Sequence, residues 1–138
     1  MKILTLSLKR KFFDQILAGE KTHEYREIRP SSEDKYIRYV PVNYEDPTPV
    51  KGSELDNLPD DVQVDIEPIK YDAIKFLTGA YTGKRPYMIV EVKGAFVTLF
   101  TDEEGNDIVL TDSKGNEYIA SEIDYTLGKI LEVNENPE

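Results

Sequence analysis

Cysteine is absent from this chain and histidine occurs once, at His23. Without cysteine there is no disulfide framework and no thiolate metal site. One histidine is too few for a His-based zinc centre and argues against a Ser-His-Asp triad, so neither a metal nor another cofactor is expected. Long apolar runs are missing too, none approaching the ~20 residues that a transmembrane helix needs. The opening MKILTLSLKRKFF alternates only briefly and offers no small-residue cleavage site. It reads as a first strand rather than a signal peptide. These absences point to a cytoplasmic protein with no membrane partner.

What is present suits a globular protein. The chain has 138 residues, 39% hydrophobic and 32% charged, which predicts one domain of ordinary size, long enough to bury a core. Its net charge of −10 is unevenly spread. Residues 1–44 hold nine basic and six acidic side chains, and residues 68–100 hold five and two. Residues 45–67 hold one basic and eight acidic, and residues 101–138 two and eleven. Acidic loops can simply keep a small domain in solution. The alternative is a local positive pocket on an acidic body, which repels long duplex DNA while admitting a single nucleotide or a short exposed loop.

Along the chain, Ile3–Leu8 alternates as a short strand. In KRKFFDQILAG the pairs Phe12–Ile16 and Phe13–Leu17 are both spaced i,i+4, predicting a helix over about 9–18 that buries this stripe. Gly19 stands where a left-handed residue ends such a helix. THEYREI reads as a strand closed by Pro30, with Tyr25 in the core. SSED then caps a short helix or leads into a strand at KYIRYV. The proline-rich, acidic stretch at about 31–67 reads as an insertion or long loop, with VQVDI as an edge strand. YDAIKFLTGAY is a strand ending at Gly79, TGKRP a turn, and YMIVEVKGAFVTLF the longest strand. Two hairpins with Gly105 and KGN at their tips follow, then a last strand at YTLGKILEV and a frayed tail, NENPE. No internal repeat is read. One early helix and six or seven strands at hairpin spacing predict an α+β fold: a small, mainly antiparallel β-barrel with the helix packed on one end.

One stretch carries chemistry. In GEKTHEYRE, strand alternation sets Thr22, Glu24 and Arg26 on one face and His23, Tyr25 and Glu27 on the other. Lys21 sits at the turn between helix and strand, so a lysine, a glutamate and an arginine can converge at the helix end. Such a group is costly inside a fold unless it is paired or open to a ligand. Lys9, Lys84 and Arg85 are further cations suited to phosphate contacts. A solvated strand with alternating charges would show the same pattern.

The order LSLKRKFFDQILAGEKTHEYRE resembles the opening of the ASCH domains, small PUA-like β-barrels with a strand, a helix of the ILAGEK type and a strand bearing Glu-x-Arg. YDAIKFLTGAYTGKRPYMIVEVKGAFV and YTLGKILEV are similar to later parts of that family, so the likeness covers about 1–30 and 68–133. It implies a single ASCH-type domain over residues 1–138, with a pocket lined by Lys21, Glu24 and Arg26. It also implies RNA or a nucleoside-like small molecule as the partner. One bacterial subgroup hydrolyses N4-acetylated cytidine with the signature lysine, a threonine three residues later and a distant glutamate. Here the position three after Lys21 is Glu24. Three readings follow: an RNA- or nucleotide-binding module; a small amidohydrolase acting on an acylated nucleoside, with Lys21 and Glu24 as catalytic groups; and an acidic protein-interaction module.

Overall fold

The computed structural model describes residues 1–80 and 83–136. In chain order the elements are β1 (Ile3–Ser7), α1 (Arg10–Leu17), β2 (His23–Glu27), β3 (Ile37–Pro41), β4 (Val64–Pro68), β5 (Ala73–Leu77), β6 (Tyr87–Leu99), β7 (Val109–Thr111), β8 (Glu117–Ile119) and β9 (Ser121–Asn134). Two 3-10 helices, Glu33–Lys35 and Gly52–Asn57, lie in the segment read as a loop. The protein is thus mostly β with little helix. Its main sheet has the strand order β1-β5-β6-β9-β2, and β3-β4 and β7-β8 form two-stranded sheets. Among the described residues no helix is long and apolar enough to cross a membrane.

The chain divides into two compact units. The first comprises Met1–Glu24, Lys70–Ala95 and Tyr125–Glu138. Here β1 pairs in parallel with β5, and β5 antiparallel with β6. The register aligns Leu4 with Ile74 and Val90, and Leu6 with Phe76 and Met88. All six side chains are buried, so period-2 alternation on three strands builds one continuous apolar layer. The parallel pair departs from the expected hairpin order. A parallel neighbour needs a long crossover connection, and the chain between Ser7 and Ala73 supplies one.

Helix α1 buries Phe13 and Ile16, while Phe12 stays 38% exposed. Two overlapping i,i+4 pairs lie about 100° apart around a helix, and eight residues have only one core face. The pair that goes inside is spaced i,i+3. The helix ends in a Schellman motif. The Gly19 N–H donates to the Ile16 carbonyl at 3.0 Å and the Glu20 N–H to the Gln15 carbonyl at 2.9 Å. Gly19 has φ +78°, the left-handed backbone this motif requires. The helix stop is therefore where the sequence predicts it.

The second unit comprises Tyr25–Ile69 and Phe96–Asp124. Strands β3 and β4 pair antiparallel, and Tyr39 also bridges to Val50. The expected strand at VQVDI is β4. Further on, FTDEEGNDIV (residues 100–109) and LTDSKGNEYI (residues 110–119) are two copies of one ten-residue unit, a repeat that sequence inspection misses. Both fold alike. Asp102 Oδ1 accepts from the amides of Glu104 and Asn106, each at 2.9 Å. Asp112 Oδ1 accepts from those of Lys114 and Asn116 at 2.9 and 2.8 Å. Gly105 and Gly115 take φ +85° and +83°, so each copy is an Asx turn completed by a left-handed glycine. β9, at 14 residues, exceeds β6, at 13, as the longest strand. The expected strand through Tyr81, the turn from Thr82 and the end of the tail run into residues 81–82 and 137–138, which lie outside the described residues.

Candidate functional site

Of the residues singled out from sequence, the first unit brings Lys21 and Glu24 together. The Schellman motif turns the chain so that Lys21 leaves the helix end, its own amide still bonded to the Gln15 carbonyl at 3.1 Å. Its ammonium lies 3.2 Å from Glu24 Oε1, and the two side chains are 20% and 5% accessible. The same ammonium stands 5.9 Å from the centre of the Phe12 ring, within cation–π range. The result is a covered carboxylate, a lysine partly open to solvent and a half-exposed aromatic ring. Phe12 is the member that sequence reasoning missed, because its spacing marked it as core.

Arg26 is the next residue on the covered face of β2, whose burial alternates from Glu24 (buried) through Tyr25 (exposed) to Arg26 (half-buried). Tyr25, expected in the core, is 51% exposed. Period 2 permits only one phase, and Glu24 takes the inward one because Lys21 neutralises it there. Arg85 is engaged in holding the first unit together. It donates to Ser7 Oγ at 3.2 Å and to the Gly79 carbonyl at 3.5 Å. Lys84 is exposed. Lys9 is exposed as well and sits at the N-cap of α1.

The second unit holds two polar groupings that the sequence did not announce. Tyr118 donates to Glu27 Oε1 at 3.3 Å and Arg29 to Glu27 Oε2 at 2.8 Å. Arg29 foremost holds the Glu27 carboxyl below the ordinary carboxylate range. At the other grouping, Tyr39 donates to Glu33 Oε2 at 3.1 Å. Gly52 provides the seat for this carboxyl, since a Cβ there would lie 1.8 Å from Glu33 Oε1. Burial pushes Glu33 above its usual value; the Tyr39 bond opposes this and Asp34 adds to it. Burial, followed by the Glu33 charge, pushes the Tyr39 phenol up to about 12.

Linkage fixes the consequence. A carboxyl raised on folding binds more protons in the native than in the unfolded state. The stability it contributes is therefore present at low pH and lost as pH rises through the folded value. Glu33→Gln removes this loss. Its melting temperature is expected to match that of the parent at low pH, where the Glu33 carboxyl is neutral, and to exceed it by a margin that grows until pH passes the folded value. Glu27, shifted the other way, is common to both proteins and cancels. A constant difference at all pH values would rule out Glu33 as the source.

No protein-family model, no curated protein and no solved structure matches this chain.

Proposed function

We propose that this chain is an RNA- or nucleotide-binding domain of the ASCH type, with a PUA-like barrel fold and a site centred on Lys21 and Glu24. The observation that carries the proposal is their ion pair at 3.2 Å. Burying a carboxylate at a helix-to-strand turn brings little net stability. Its chemistry suits recognition, because a fixed carboxylate accepts from an exocyclic amine such as that of cytosine. Lys21 adds charge for a phosphate, and Arg26 offers a planar fork to a phosphate or a base edge. The exposed Phe12 ring beside Lys21 gives a base a face on which to stack, a contact worth about 1–3 kcal/mol per base. The first unit, with 11 basic and 8 acidic residues, suits an anionic ligand. Lys9 and Lys84 extend the cationic supply, and Arg85 is reserved for the framework.

A thermal-shift screen of nucleosides, nucleotides and short RNAs tests this, since a ligand of the native state raises the melting temperature. At least one nucleotide or short RNA is expected to do so. Arg26→Ala should weaken that ligand about ten- to hundredfold with the fold retained, the loss of one charge-assisted hydrogen bond. A parallel incubation with N4-acetylcytidine is expected to leave it intact. Release of cytidine, abolished by Lys21→Ala, would instead establish the hydrolase reading. No shift with any nucleic-acid ligand would remove the assignment.

A further inference from the structure

The second unit carries an open cavity of about 360 Å³, within the range of small-molecule sites. Its walls are aliphatic in part, with Ile28 and Ile37 buried and Ile66, Val97 and Ile119 near them. Arg29, Glu33 and the exposed Glu117 also line it, and the first two differ in kind. Arg29 is already bound to Glu27, whose second oxygen accepts from Tyr118. That grouping balances its own charge. Among the described residues Glu33 has no such balance. Its hydrogen-bond donor is the neutral Tyr39 hydroxyl, and the charge acting on it is a like one, Asp34. A carboxylate held in an apolar recess with no cation is an expensive arrangement. Here it is also a positioned one, because the carboxyl occupies the space that a Cβ at residue 52 would take.

The surroundings carry the same sign. Residues 25–69 and 96–124 hold 19 acidic and 6 basic side chains. The field over this unit is therefore negative and draws cations toward it. An anion would meet that field and then Glu33. A neutral apolar molecule would fill the walls and leave the carboxylate uncompensated. A molecule with an apolar body and one protonated nitrogen satisfies walls and charge together, and the rings of Tyr39 and Tyr118 that border the cavity favour a cation further.

We propose that this cavity is a binding site for a small organic cation, an apolar amine whose ammonium pairs with Glu33 and whose hydrocarbon body lies against Ile28, Ile37 and Ile66. The site is separate from the one at Lys21 and Glu24 and takes a ligand of opposite charge.

The test is an NMR titration of the full chain with phenethylamine and, in parallel, with 2-phenylethanol, which has the same body without the cation. Phenethylamine is expected to shift the backbone amides of Ile28, Ile37, Ile66 and Val97 saturably at millimolar concentration. 2-Phenylethanol should bind the parent about tenfold more weakly, the worth of one charge-assisted bond. Glu33→Gln should bring the amine down to the level of the alcohol and leave the alcohol unchanged. Gly52→Ala, which keeps the charge but displaces the carboxyl, should weaken the amine alone. Ile66→Trp, which fills the cavity, should abolish both. Equal affinity of amine and alcohol for the parent, an amine affinity unaffected by Glu33→Gln, or no saturable shift at these amides would each overturn the proposal.

Discussion

Phe13→Ala is expected to lower the unfolding free energy by about 3–5 kcal/mol, the loss typical of a fully buried phenylalanine. Phe12→Ala, one residue away, should cost less than about 1 kcal/mol, in the range of surface substitutions. The contrast follows from burial. Phe13 is 0% exposed and Phe12 is 38% exposed. Truncating Phe13 opens a hole that close-packed neighbours cannot fill, whereas the Phe12 ring leaves a surface that water already wets. Urea denaturation of both variants measures the difference, and the slope with denaturant should stay that of the parent. Phe12→Ala should also lower the affinity of any nucleotide ligand, which Phe13→Ala, once folded, should spare. Equal losses of stability would mean that α1 presents a different face to the core.

Lys21→Ala is expected to cost about 1–3 kcal/mol, the penalty for taking the paired cation from a covered carboxylate. Glu24→Gln should cost clearly less. The asymmetry lies in what each change leaves behind. With Lys21 gone, the carboxylate keeps its covered position, its side chain 5% accessible. With Glu24 changed to the amide, the ammonium, on a long flexible stem, turns to water at little cost. A double-mutant cycle by urea denaturation separates the pair's coupling from these unequal penalties. If Glu24→Gln proves the more destabilising, Lys21 and not Glu24 is the group held by its surroundings.

Local geometry was legible in the sequence wherever one residue type decides it. Gly19 marked the helix stop because its left-handed backbone is costly for any side chain with a Cβ. The shared face of Glu24 and Arg26 followed from the period of a strand alone. Phase was harder to read. Helix α1 had two candidate stripes, and only tertiary packing selected Phe13 over Phe12. Tyr25 misled for a related reason: its apolar ring suggested the core, while the Lys21–Glu24 pair allowed a carboxylate to take the inward phase. The duplicated Asx-turn unit escaped because its copies share only Thr-Asp, Gly-Asn and a following acid. The Glu33 cavity could not be foreseen, since its walls come from β3, β4, β6, β8 and the chain after β2, which no local pattern connects.

The first unit is assembled from three separated stretches, and the last of them, Tyr125–Glu138, is translated after every residue of the second unit. During synthesis, the second unit has all its residues once position 124 has emerged. The first does not, although β1 and α1 were translated before any of the second unit. At roughly 5–20 residues per second, these two elements wait on the order of 5–20 s for Tyr125 and Leu127, both buried. Through that interval Leu4, Leu6 and Phe13 are apolar surface without their full cover. The order of manufacture thus runs opposite to the order of closure: β1 and α1, made before the second unit, are sealed after it has all its residues, and they need protection from other nascent chains through that interval.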